Sequence, residues 1–165
     1  MNKVAYLNSH FAVTGVLQPA DFRQIADLGF KSVLSNLPDG ESNSYLSASE
    51  EAELANSAGL GFRHVPAIKS EVFSDRVVDA VGQALAQLEG PVLAHCASGI
   101  RSAIAWAAAA ARTQSADCVI AALKNAGYDL AVLRDELEDQ CGRAHVASTP
   151  AALDCHCKEQ GESIV

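Results

Sequence analysis

The sequence predicts one α/β domain: a parallel-type central sheet of about four or five strands with helices on both faces. Three observations carry this. Short apolar runs alternate with helical stretches as far as Ala110, in the order β-α-β-α-β-α-β-α. The segment "GPVLAHCASGIRSAIAWAAAA", from Gly90 to Ala110, reads as a buried strand, a small-residue turn and an alanine-rich helix. The chain has 165 residues, 49% of them apolar, enough to bury a core on both sides of a sheet.

The elements follow in order. VAYL, residues 4–7, is a first strand. "QPADFRQIADLGF" is a helix, with Pro19 in its first turn, Phe22, Ile25, Ala26 and Leu28 on its buried face and Gly29 as its stop. KSVLSN, from Lys31 to Asn36, is strand-like, and "PDGESNS" after it is a turn cluster. Ser47–Gly59 is helical, with Ser49 as its cap and acidic residues in its first turn. Phe62–Val65 is a third strand, closed by Pro66. Ser74–Leu88 is the clearest helix, with Val77, Val78, Val81, Leu85 and Leu88 at helical spacing. Gly90-Pro91 breaks it, and Val92–His95 is the next strand. Ser102–Arg112 is a helix, Thr113–Ser115 a break, and Ala116–Asn125 and Asp129–Gln140 are further helices split by "NAGY". Residues 1–142 form the expected catalytic domain, and 143–165 a tail that carries Cys155-His156-Cys157.

Composition narrows the function. Net charge is −8, so a general nucleic-acid surface is not expected, and an anion site must be local. No segment reaches the ~18–20 apolar residues of a membrane span, and the first residues lack the apolar core of a signal peptide. Five cysteines without framework spacing fit a reducing, cytoplasmic setting. The pattern sets no oligomeric state.

In sheets of this kind ligands bind beyond the carboxyl ends of the strands, and His95-Cys96 lies at such an end. Between Cys96 and the following helix, Ala97, Ser98, Gly99 and Ile100 must curl, with their N–H groups turned toward the sulfur and Gly99 supplying conformational freedom. The helix N-terminus and the planar cation of Arg101 add positive potential. All three favour a thiolate; such sites lower a cysteine pKa from about 8.5 to roughly 3.5–7.5. Cys96 is therefore the expected nucleophile. Ala97 to Arg101 form the anion cradle, Ser102 donates to the sulfur or leaving group, and His95 orients the loop. The bland account is a buried cysteine that ends a strand.

These residues resemble the cysteine-based phosphatases, whose loop reads His-Cys-x-x-Gly-x-x-Arg-Ser. More of the chain is similar to a narrower bacterial group, the beta-lactamase-hydrolase-like phosphatase-like family. The matching pieces are GVLQPAD (15–21), LGFKSV (28–33), PDGE (38–41), ANSAGL (55–60) and CASGIRSA (96–103), spanning roughly residues 11–110. Two cations usual in that family are missing: Leu37 stands before Pro-Asp-Gly-Glu and Ala97 follows the cysteine. The resemblance implies a phosphatase-type fold and thiolate chemistry.

Four residues separate Cys96 from Arg101, where the phosphatase loop has five. The shorter length resembles the loop of rhodanese sulfurtransferases, in which a cysteine carries a sulfane sulfur as a persulfide. In the stretch after the third strand, Lys69 falls where dual-specificity phosphatases carry a general-acid Asp; Asp39, Glu71 and Asp75 are the substitutes at hand. The expected function is sulfur transfer through a Cys96 persulfide, from a small anionic donor to a thiol acceptor. The alternative is phosphoester hydrolysis through a phosphocysteine, and a second alternative is a non-catalytic redox or anion sensor. No cofactor and no metal are expected. Cys118 reads as core and Cys141 as a helix end. Cys155 and Cys157 are candidate resolving thiols, weighed against a purely structural tail.

Overall fold

The computed structural model describes residues 1–143 and 149–156. Its five-stranded sheet contains β1 (Ala5–Asn8), β2 (Phe11–Thr14), β3 (Ser32–Ser35), β4 (Gly61–His64) and β5 (Val92–His95), in the spatial order β1-β2-β5-β3-β4. The β1–β2 pair is an antiparallel hairpin; all other pairs are parallel. β5 lies at the centre, with Thr14 and Ser35 each registered against His95.

β2 is absent from the expected element list, and β1 lies at the sheet edge. The hairpin turns at Asn8, whose Oδ1 accepts from the His10 backbone N–H at 2.7 Å, a side-chain mimic of a turn. Asn8 Nδ2 also donates to the carbonyls of Ala151, Ala152 and Asp154. One residue thus fixes the hairpin and holds segment 149–156 against it.

Strand periodicity assigns the two faces. Ala12, Val33 and Leu93 point to one layer, with α1 (Asp21–Asp27) and α2 (Ala48–Ser57). Val13, Leu34, Val92 and Ala94 point to the other, with α3 (Asp75–Gln87), α4 (Ile100–Ala110), α5 (Ala116–Asn125) and α6 (Arg134–Cys141). The alanines of α4 are nearly all buried, so this helix sits deep in its layer.

Local reasons account for three of the differences from expectation. α2 is capped by Ser47, not Ser49, because Ser47 and Glu50 form a reciprocal capping box. Leu28, expected on the buried face of the first helix, is exposed just past the end of α1. The expected Asp129–Gln140 helix becomes a single tight turn, Ala131–Leu133, followed by α6, with no side-chain cap at either start.

Two interactions hold α4 in place. Trp106 is fully buried, stacks on Phe11 with ring centroids 6.1 Å apart, and donates Nε1–H to the Ala152 carbonyl at 2.7 Å. Past the end of α4, buried Arg112 donates to Gln140 Oε1 on α6 and to Asp75 Oδ1 on α3, both at 2.7 Å. A cation there also suits the helix C-terminus. No helix among the described residues is long and apolar enough to cross a membrane.

Trp106→Phe removes the indole donor and leaves a void, with Asn8 Nδ2 as the remaining partner of the Ala152 carbonyl. It is expected to lower unfolding free energy by about 2–3 kcal/mol, measured by urea titration, and to open residues 149–156 to limited proteolysis.

Candidate active site

The site is built where β5 ends. Cys96 follows the last residue of the strand and is fully buried, and its Sγ accepts the Gly99 backbone N–H at 3.1 Å. The loop is fastened to the end of β2 by the Val16 N–H to Ala97 carbonyl bond of 3.2 Å. Gly99 has φ +90° and is the residue from which α4 springs. A Cβ there would stand 3.1 Å from the Thr14 carbonyl oxygen and 3.2 Å from the Tyr128 hydroxyl. Both the backbone angle and the space therefore require glycine. α4 starts at Ile100, two residues earlier than expected. This places Ile100, Arg101 and Ser102 in the first turn, where backbone N–H groups lack helical partners.

Arg101 is held by an acid that the sequence reading did not assign a role. Its Nη1 donates to Glu41 Oε2 at 2.8 Å and to the Ala67 carbonyl at 3.0 Å, and its Nη2 donates to Glu41 Oε1. Glu41 thus occupies the end-on fork of the guanidinium. The guanidinium also interacts with the Cys96 sulfur, which brings the fixed cation to the thiol. The hydrogen bonds from Arg101 hold the Glu41 carboxyl below its ordinary range, and Lys69 adds to the same effect. Those bonds also keep Arg101 charged against its partial burial, and negative charge on Cys96 acts in the same direction.

His95 is fully buried, and its Nε2 lies 3.1 and 3.2 Å from the two carboxylate oxygens of Glu51 on α2. Its carbonyl accepts the Asn36 N–H at 2.8 Å. The ring and backbone of His95 therefore lock the end of β5 to α2 and β3. Ser102 Oγ is buried with no hydrogen-bond partner among the described residues, so its donor is not spent elsewhere.

Ala97, Ser98 and Ile100 follow the loop surface, with Ser98 and Ile100 exposed. Lys69 is exposed and acts electrostatically on Glu41. Asp39 is exposed, and its Oδ1 accepts the Ala48 N–H at 2.7 Å, capping α2. Glu71 pairs with Arg76, and Asp75 with Arg112 and Arg143. Those two carboxylates are thus engaged on the α3 side of the domain. Cys155 bonds through its N–H to Gln114 Oε1, past the end of α4, whereas Cys96 touches its start. The length of that helix sets them roughly 16 Å apart. Burial, with help from Asp154, pushes the Cys155 thiol up to about 12. The structure does not bring Cys155 to Cys96, and Cys157 lies outside the described residues. Among the described residues no group of three or more His, Cys, Asp or Glu side chains is arranged to hold a metal ion.

Three residues of the site carry weak sequence signals. Glu41 stands in the PDGE stretch. Glu51 lies four residues before buried Ala55, on the inward face of α2. Tyr128 follows Gly127 in "NAGY". A cleft of about 410 Å³ opens beside the loop, lined by Lys3, Gly15, Ala97, Ser98 and Tyr128 among others.

Comparison with known proteins agrees with this geometry. The family described as "Beta-lactamase hydrolase-like protein, phosphatase-like domain" matches residues 3–113. Beta-lactamase hydrolase-like proteins of Agrobacterium fabrum and Xylella fastidiosa are each 31% identical, over 100 and 105 residues, or 61% and 64% of this chain. The match spans about a quarter of the length of those relatives (23% and 24%). A Neisseria meningitidis protein provisionally assigned as a phosphatase is 31% identical, with a TM-score of 0.71 over 82% of this chain and 96% of that one. The core catalytic domain of a Saccharomyces cerevisiae PP-IP phosphatase shares the fold at 15% identity, with a TM-score of 0.56 over 82% of this chain and 83% of that one. With its thiol at a strand end, its arginine in the first turn of the next helix and its sequence matched over two thirds of its length, this chain belongs to the phosphatase-like domain family of the beta-lactamase hydrolase-like proteins.

Proposed function

We propose that the domain is a cysteine-dependent phosphoester hydrolase. The observation that carries this reading is the pairing of a loop-cradled thiol, Cys96, with an Arg101 that interacts with that sulfur and that Glu41 holds in one orientation. The ionised sulfur attacks phosphorus, the bond to the leaving oxygen breaks, and a phosphocysteine forms. Water then attacks that phosphorus, the P–S bond breaks, and phosphate and thiolate return. Arg101 and the loop N–H groups stabilise the charge on the equatorial oxygens. Both the family and the fold relatives support phosphoesters over the sulfur chemistry expected from loop length. The leaving oxygen has Lys69, not a carboxylic acid, on the strand-exit segment, which favours substrates whose leaving group departs as a stable anion.

One observation favours a second reading. Only four residues lie between Cys96 and Arg101, a ring suited to one sulfur atom. In that case the Cys96 thiolate attacks the sulfane sulfur of thiosulfate, sulfite leaves, and cyanide or a thiol takes the sulfur from the persulfide.

Two experiments separate these. Purified protein assayed side by side is expected to release phosphate from aryl phosphates, faster for more acidic phenols, and Cys96→Ser is expected to abolish this. Thiocyanate formation from thiosulfate and cyanide without phosphate release would give the site to sulfur transfer instead. Glu41→Gln weakens the hold on the Arg101 fork at a partly exposed pair, so folding stability should change by less than about 1 kcal/mol. In the same variant kcat/KM is expected to fall about tenfold to a hundredfold, because the arginine loses its fixed orientation. Unaltered kinetics would remove Glu41 from the site.

A further inference from the structure

The loop is one residue shorter than a phosphate-encircling ring, and one of its remaining donors is already committed: the Gly99 N–H points at Cys96 Sγ. An anion above the sulfur therefore meets fewer backbone donors than a five-residue spacing would offer. Another donor stands at the same place. The Tyr128 hydroxyl is 3.2 Å from where a Gly99 Cβ would be, and Tyr128 shares the lining of the adjacent cleft with Ala97 and Ser98. That hydroxyl has no hydrogen-bond partner among the described residues.

Its position is fixed from below. After α5, Gly127 takes φ +98°, the Gly127 N–H donates to the Lys124 carbonyl at 3.0 Å, and the Tyr128 N–H donates to the Leu123 carbonyl at 2.9 Å. This is the double bond pattern that ends a helix in a left-handed glycine. The Tyr128 ring packs against the main core layer, so the phenol reaches the loop from a rigid turn.

We propose that the Tyr128 hydroxyl donates a hydrogen bond to the anion held at Cys96, supplying from outside the loop the contact that its shortened backbone lacks. This rests on the reading of Cys96 as the nucleophile of a phosphate-binding site. Burial, reinforced by charge on Cys96, pushes the phenol above its ordinary range, so it stays a donor at neutral pH.

The test uses the full chain and inorganic phosphate. Cys96 alkylation by iodoacetamide is followed on its own peptide, because Cys141 is exposed and reacts as well. In Tyr128→Phe, which keeps the ring and its packing, the phosphate concentration that half-protects Cys96 is expected to rise about 10- to 100-fold, the usual worth of a hydrogen bond to a charged group. kcat/KM for an aryl phosphate should fall by a similar factor while the thermal unfolding midpoint stays in place. Tyr6→Phe, which removes an exposed hydroxyl from β1, should change neither reading. Equal half-protection in wild type and Tyr128→Phe overturns the role of Tyr128 alone. A wild-type thiol that phosphate never protects overturns the anion site together with it.

Discussion

The structure depends on the burial of β5 along both edges and both faces. β2 and β3 pair with it, one layer of helices covers Leu93, and the other covers Val92 and Ala94. A strand enclosed in this way can release its chain only at its end. There the backbone must change direction within a few residues to enter α4. Gly99 makes that possible, since the αL conformation costs it little and any side chain would strike the Thr14 carbonyl. The curl that places N–H groups around the sulfur is thus a consequence of how a central strand exits a fully covered sheet. The chemistry is located by topology first and by residue choice second.

Electrostatics then makes the location selective. In a chain of net charge −8, an anion finds no broad attraction. It finds the amides of the first turn of α4 and one guanidinium held by Glu41. Glu41 has a double effect here: it lowers the net positive charge of the site, and it holds Arg101 in one orientation. For a planar cation with several rotamers, orientation outweighs the lost charge, because a bidentate contact requires a fixed plane. The His95–Glu51 pair does the same one layer deeper, tying the strand end to α2 through a buried contact that makes sliding of β5 costly.

The parts legible in the sequence are those with local causes. Val92–His95 and Ala116–Asn125 have the predicted bounds, and Ser74 starts its helix, because periodicity and caps are written in neighbouring residues. Cys96 and Arg101 stand out in the sequence because a strand, a small-residue turn and a helix start follow one another within a dozen residues or so. What the sequence hid is tertiary. β2 is four residues long, and its partner β5 is roughly 80 residues away, so no local pattern marks it. Glu41 is legible only as part of the PDGE stretch and Glu51 only as a first-turn acid of its helix; the fold brings each to a partly buried cation or a buried imidazole. Tyr128 reads as a turn residue, and only the packing of α5 against β1 and α4 shows that its turn faces the loop.

The same reasoning bears on the choice between phosphorus and sulfur. Loop length was the strongest sequence argument for a single sulfur atom, since fewer amides close a tighter ring. That argument counts only donors within the loop. A cradle is a set of donors around a point, and the chain reaches that point from any element that the fold brings near. Here the α5 turn, the strand-exit segment through the Ala67 carbonyl, and the PDGE segment through Glu41 all converge on Arg101 or Gly99. Of these, the Ala67 carbonyl and Glu41 accept from Arg101 and orient it, and the Tyr128 hydroxyl is the group that offers a donor from outside the loop. It is the three-dimensional set, not the one-dimensional spacing, that determines how large a group the sulfur can carry.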